Sequence, residues 1–90
     1  MGIKVNLHST HRQHTGGRQI VEVDGSTVGE CIESLVGAHP GMRGALFDVG
    51  GKLRNNIEIY LNMESTHPEE MLKQTRDGDE IHIAVMLAGG

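Results

Sequence analysis

Aromatic side chains are nearly missing from this 90-residue chain, in which Phe47 and Tyr60 are the only phenyl rings and tryptophan is absent. Single-stranded nucleic acid is usually held on several stacked aromatic faces, so this composition argues against such binding. A surplus of positive charge is missing as well. Eight Lys and Arg stand against twelve Asp and Glu, and a net charge of -4 disfavours contact with a phosphate backbone. Cysteine occurs once, at Cys31. No internal disulfide is therefore available, which suits a reducing compartment. No redox or nucleophile motif surrounds that thiol, and free cysteine is among the most buried residue types, so Cys31 is assigned to the core. No apolar run approaches the roughly 18 residues of a membrane span, and the N-terminus lacks a signal-peptide apolar core. A cytoplasmic protein without a membrane segment is expected.

What is present fits one small domain. A chain of this length buries only about 60 to 65% of the surface its unfolded form exposes, too little to enclose a deep catalytic pocket. With 37% hydrophobic residues and so few rings, the core must come from Ile, Leu, Val and Met.

Apolar and polar residues alternate through Ile3-Lys4-Val5-Asn6-Leu7-His8, which predicts a strand with Ile3, Val5 and Leu7 on its inner face. A polar loop from Ser9 to Gly17 should follow, then a second strand over Arg18 to Val23 with Val21 and Val23 inward. Thr27-Val28-Gly29-Glu30 has the form of a capping box. Behind it Val28, Cys31, Ile32, Leu35 and Val36 recur at i, i+3, i+4, i+7 and i+8, the stripe of an amphipathic helix. Pro40 and Gly41 should end that helix near Ala38 or His39. Met42 to Asp48 reads as a turn of helix tucking Leu46 and Phe47 inward, and Leu53 as the opening of a short strand. Ile57 to Leu61 alternates again, with Ile57, Ile59 and Leu61 inward. Pro68 is expected at the first position of a helical turn between Ser65 and Thr75. Asp79 to Met86 is the last strand. Together these elements predict an α+β domain over residues 1–85, a mixed sheet of four to five strands with one main helix packed across it. Pairing the first and last strands in parallel would set both centrally.

Residues 86–90, Met86-Leu87-Ala88-Gly89-Gly90, then form a tail in which the reactive group is the main-chain carboxylate of Gly90. A Gly-Gly end has no Cβ, so it can thread a narrow channel and deliver that carboxylate into another protein's active site. With 13 glycines in the chain, chance alone would place Gly-Gly there about 2% of the time.

This order of elements resembles the ubiquitin-like β-grasp sulfur carriers of the MoaD/ThiS superfamily, over nearly the whole chain. It is most similar to the CysO-like branch. The resemblance rests on Arg12-Gln13-His14-Thr15-Gly16-Gly17, Thr27-Val28-Gly29-Glu30, Gly51-Lys52-Leu53-Arg54 ahead of Ile57 to Asn62, Asp77-Gly78-Asp79-Glu80, and the terminal Gly89-Gly90. The Gly-Asp-Glu turn with the terminal Gly-Gly is its most specific part. It implies a carrier with no bound cofactor, not an enzyme. An adenylyltransferase similar to ubiquitin-activating enzymes, of the MoeB/ThiF kind, would use ATP and magnesium to adenylate Gly90. A sulfur donor would displace AMP and leave a thiocarboxylate, whose sulfur a biosynthetic enzyme then accepts. Gly89 and Ala88 leave the acyl carbon unobstructed, while Leu87 and Met86 either anchor on the partner or complete the core. Cysteine or a related thiol amino acid is the favoured destination, with the small subunit of molybdopterin synthase and the thiamine sulfur carrier as alternatives. Two further readings are a ubiquitin-like protein modifier and an interaction module with an inert tail.

Other constellations specify no site. His8, His11 and His14 are spaced by three, which in an irregular loop does not fix three ligands around one ion, and no metal is assigned. His39, His67 and His82 read as solvated. Glu22, Glu30, Glu33 and Glu58 are dispersed, with no acid and base pair among them. Glu69, Glu70, Asp77, Asp79 and Glu80 are expected to form an acidic patch.

Overall fold

The computed structural model describes residues 2–86. Within them the alternating segments form the strands β1 (Ile3–Asn6), β2 (Ile20–Val23), β3 (Ile57–Leu61), β4 (Glu64–Ser65) and β5 (Glu80–Val85). Two α-helices, α1 (Val28–Ala38) and α2 (Gly41–Leu46), and two 3₁₀ helices, Ser9–Thr15 and Glu70–Leu72, complete the domain. The sheet order is β2-β1-β5-β3-β4. β1 lies parallel to β5, with Val5 beside Ile81, and the remaining neighbours are antiparallel. The two strands most distant in sequence pair in parallel and therefore lie inside the sheet.

One sheet face is apolar because period-two alternation sends Ile3, Val5, Val21, Val23, Ile57, Ile59, Ile81 and Ile83 to the same side, where all are buried. The α1 stripe of Val28, Cys31, Ile32, Leu35 and Val36 closes over them and is buried throughout. A side chain such as Leu35, with 0% exposure, is the kind whose truncation to alanine costs about 2 to 5 kcal/mol. α2 adds Met42 and Leu46 to this core, with Phe47 half-buried behind them.

Local chemistry sets where α1 starts. The Thr27 hydroxyl accepts the Glu30 amide at 3.1 Å. The reciprocal half of the capping box is displaced by one residue, for the Glu30 carboxylate accepts the amide and the hydroxyl of Ser26, each at 2.8 Å. At the other end the His39 amide still reaches the Leu35 carbonyl, and Pro40 stops the helix.

Three expectations are corrected. The polar stretch after β1 is a seven-residue 3₁₀ helix whose His11 and Thr15 are buried. The Thr15 hydroxyl donates to the carbonyls of Arg12 and Arg18, which folds the segment on itself, and Gly16 ends it at φ 66, a conformation that favours glycine. Leu53 forms only an isolated bridge to Phe47. Pro68 does not start a helical turn. Thr66 is tied to the Ile59 carbonyl through both its amide and its hydroxyl, so residues 66–69 form a separate turn and the 3₁₀ helix begins at Glu70.

Candidate functional site

β5 is the central strand, bonded on both edges, and it points its C-terminal end at the proposed tail. Val85 still pairs with Ile57, and one residue further the Met86 amide donates to the Asn56 carbonyl at 2.6 Å. The Met86 side chain is 53% exposed, so it does not complete the core. It borders an open hollow with Leu53, Arg54, Ile57, Glu58 and His67. There the His67 Nδ1 lies 3.0 Å from a Glu70 carboxylate oxygen. Leu87, Ala88, Gly89 and Gly90, the remaining candidate residues, lie outside the described residues.

The start of β5 is clamped as firmly. The Asn62 amide donates to the Glu80 carbonyl, the Glu80 amide donates to the Asn62 side-chain oxygen, and Asn62 Nδ2 donates to Asp79. The Asp79 carboxyl is held below its ordinary pKa by that Asn62 bond first and by the Arg76 amide second. A strand pinned at both ends and paired on both edges cannot slip in register without moving its whole apolar set.

The alternatives to a main-chain site are weak on geometry. Cys31 is fully buried, and burial pushes its thiol pKa up, with a 3.7 Å contact to Thr75 Oγ1 opposing and the charges of Glu30, Asp24 and Asp79 adding to the rise. Thiolate is the reactive form, so Cys31 is poorly suited to carry sulfur itself. A hollow of about 540 Å³, open to solvent, includes Glu30 and Glu33. Glu30 is held below its usual pKa by the Ser26 amide and then the Ser26 hydroxyl. That keeps it ionised and occupied, the opposite of a poised general acid.

His11 and His14 do lie in the 3₁₀ helix, where residues three apart eclipse, and His8 caps its start. His8 and His11 pack edge to face with centroids 6.3 Å apart. His8 Nδ1, however, accepts the Thr10 amide as the helix cap. In the neutral ring this leaves the proton on Nε2, without a lone pair for a metal. Among the described residues no group of three His, Cys, Asp or Glu is placed to hold an ion. His82, expected to be solvated, is half-buried with Nδ1 out of solvent and unpaired. His39 is half-buried too, as the cap of α1. The expected acidic patch is divided, since Glu70 faces His67 beside Met86 while Asp79 and Glu80 sit at the opposite end of β5.

A family model described as the ThiS family matches residues 5–90. The chain belongs to the ThiS family. It is 33% identical over 93 residues, covering all of both chains, to the sulfur carrier protein CysO of Mycobacterium tuberculosis. Small archaeal modifier protein 1 of Haloferax volcanii is 36% identical over 77 residues, or 83% of this chain and 85% of that one. Among solved structures, the Amycolatopsis orientalis BexX/CysO complex contains a chain that superposes with a TM-score of 0.88 at 32% identity, covering 99% of this chain and 100% of that one. These likenesses place the chain on the CysO-like branch of the ubiquitin-like β-grasp carriers. Sequence periodicity had not singled out Arg54, Asn56, His67 or Glu70, because only the strand order reveals which loops meet the end of β5.

Proposed function

We propose that this protein is a sulfur carrier that works through the carboxylate of Gly90. A carboxylate is a poor acyl donor because its charge repels nucleophiles and oxide is a bad leaving group. In this reading a ubiquitin-activating-type adenylyltransferase binds ATP and magnesium and lets the Gly90 carboxylate attack the α-phosphorus, releasing pyrophosphate. A sulfide equivalent then attacks the acyl carbon of the adenylate and expels AMP, leaving a C-terminal thiocarboxylate. A biosynthetic enzyme accepts that sulfur, with cysteine or a related thiol amino acid as the favoured product.

The full-length likeness to CysO sulfur carriers is the observation that carries this reading. It is supported by a central β5 whose end presents an exposed Met86, and by a sole cysteine that is buried and protonated. Met86 would rest on the partner, where a flexible thioether adapts to an irregular surface.

The likeness to small archaeal modifier protein 1 favours a second reading, in which the activated Gly90 forms isopeptide bonds with lysines. The exposed Lys4, Lys52 and Lys73 are candidate acceptors within the chain itself. Incubation with ATP, magnesium, sulfide and lysate of the source cells separates the two. Sulfur carriage predicts a free chain that takes up labelled sulfide, whereas conjugation predicts higher-mass adducts that survive reductant and boiling. Neither product would leave the tail inert.

A further inference from the structure

The first carboxylate in the chain is Glu22. Residues 1–21 hold Lys4, Arg12 and Arg18 with no Asp or Glu, so the other five of the eight cations face all twelve carboxylates. The fold turns this asymmetry into a place. Because β1 runs parallel to β5, with Asn6 beside His82, the chain leaving β1 emerges at the end of the sheet where β5 finishes. It forms the Ser9–Thr15 helix there, and the Leu7 amide bonded to the Gln19 carbonyl at 2.8 Å closes the excursion before β2. Arg12 and Arg18 thus stand on the β1 and β2 flank of the tail end. Asp24, after β2, and Asp77 and Asp79, before β5, lie at the far end, where the Gly78 amide bonds the Gly2 carbonyl.

What sets this pair apart is its place at the tail end and the buried Nε of Arg12, since Arg76, at the far end, has no carboxylate partner among the described residues either. Arg43 pairs with Glu33 at 2.8 Å, and Arg54 Nε donates to the Gly44 carbonyl. Among the described residues neither Arg12 nor Arg18 pairs with a carboxylate, and Arg12 Nε is out of solvent with no acceptor. A buried donor without an acceptor is uncommon in a folded protein and calls for an explanation. The segment is also held rigidly in place, since His14 packs so tightly on Gly41 of α2 that a Cβ there would lie 2.8 Å from its ring. Two unpaired guanidinium groups on a fixed turn form a surface for carboxylates.

We propose that the Ser9–Arg18 turn docks on an acidic face of the protein that activates Gly90, steering the tail end in first; this rests on the reading of Gly90 as the acyl donor. Nucleic acid fits the same turn poorly. Two arginines can neutralise only a few phosphates, and the net charge of -4 repels the rest of the strand. An acidic protein face needs no more than such a patch, because rim charges act mainly on encounter rate and on its salt dependence.

The test uses full-length chain and a ubiquitin-activating-type adenylyltransferase with ATP and magnesium, following pyrophosphate release. Arg18→Glu, alone and with Arg12→Gln, is compared with Lys73→Glu, which matches its charge change but sits at the far end, where the Lys73 carbonyl accepts the first amide of α1. Arg18 is exposed, so Arg18→Glu should melt with the wild type even if Arg12→Gln disturbs packing. The double variant is expected to raise KM for the carrier about tenfold at low salt, leave kcat unchanged and flatten the salt dependence of KM. Arg18→Glu alone should move in the same direction, and Lys73→Glu should match the wild type. Equal KM for Arg18→Glu and Lys73→Glu overturns the proposal, as does a wild type that retards duplex DNA through Arg18 while KM stays unchanged. A wild type that no such enzyme charges overturns the Gly90 reading and this surface with it, whereas a charged wild type with indifferent arginines overturns the surface alone.

Discussion

The Met86 amide donates to the Asn56 carbonyl at 2.6 Å while the Met86 side chain stands half exposed. The backbone therefore holds the chain one residue beyond β5, and the side chain at that point faces solvent. Because β5 is central and clamped at Asn62, the strand end at Met86 is fixed relative to the rest of the sheet. Under the proposed function a fixed strand end would serve a partner's active site, since misplacement by an ångström is costly in acyl transfer.

Cys31 should be inert. Its burial and raised pKa predict no reaction of the folded protein with a disulfide reagent such as dithionitrobenzoate at pH 8, and prompt reaction in urea. Cys31→Ala should keep full activation of the tail while losing on the order of 1 kcal/mol of stability for the missing sulfur. Prompt native labelling would contradict the packing described.

His11 makes stability fall as acid is added. Burial first, and the charges of His8 and His14 next, lower its pKa below the ordinary imidazole value. A folded pKa lower than the unfolded one means that the unfolded chain binds more protons, so this stability is present at neutral pH. It is lost as pH drops below about 6.5 toward the folded value, and then levels off. Urea midpoints measured between pH 7.5 and pH 5 should show that decline, reduced in His11→Gln. The same decline in both proteins would show that His11 is not the cause.

The helix start is also open to test. Thr27→Ala removes the acceptor of the Glu30 amide and should cost about 1 kcal/mol in thermal unfolding. Ser26→Ala should cost less, because only one of its two bonds to Glu30 comes from the side chain. The reverse order would mean that Ser26, rather than Thr27, caps α1.

The hairpin between β3 and β4 turns on Asn62 and Met63 at φ 51 and φ 71. Asparagine tolerates that region and methionine does not, for a left-handed residue costs roughly 1 to 2 kcal/mol. Met63→Gly should therefore stabilise the protein by about 0.5 to 1 kcal/mol after the added freedom of the unfolded chain is subtracted. A urea midpoint that falls instead would contradict a left-handed Met63.

Much of this architecture could be read from residue order. The alternation in Ile3 to Leu7 and Ile57 to Leu61, and the stripe from Val28 to Val36, each report a one-sided apolar face, and each face is buried. The Ser9–Thr15 helix was not legible because it contains no apolar residue at all. Its burial comes from His11 and Thr15, polar side chains that periodicity assigns to solvent. β4 is only two exposed residues long and leaves no pattern. The hollow beside Met86 was illegible for a different reason, since its walls come from loops that meet only after strand order is set. Sequence did point to Met86 as a boundary, and its exposure removes it from the core.

Whether Gly90 carries the sulfur is tested most directly by intact mass, followed by fragmentation, after incubation with ATP, magnesium, sulfide and the adenylyltransferase. Replacement of one oxygen by sulfur predicts a gain of about 16 Da confined to C-terminal fragments that contain Gly90, lost on deletion of Gly89-Gly90 and retained in Cys31→Ala. No gain, or a gain of about 16 Da that persists after deletion of Gly89-Gly90, would contradict a carrier that works through its terminal carboxylate.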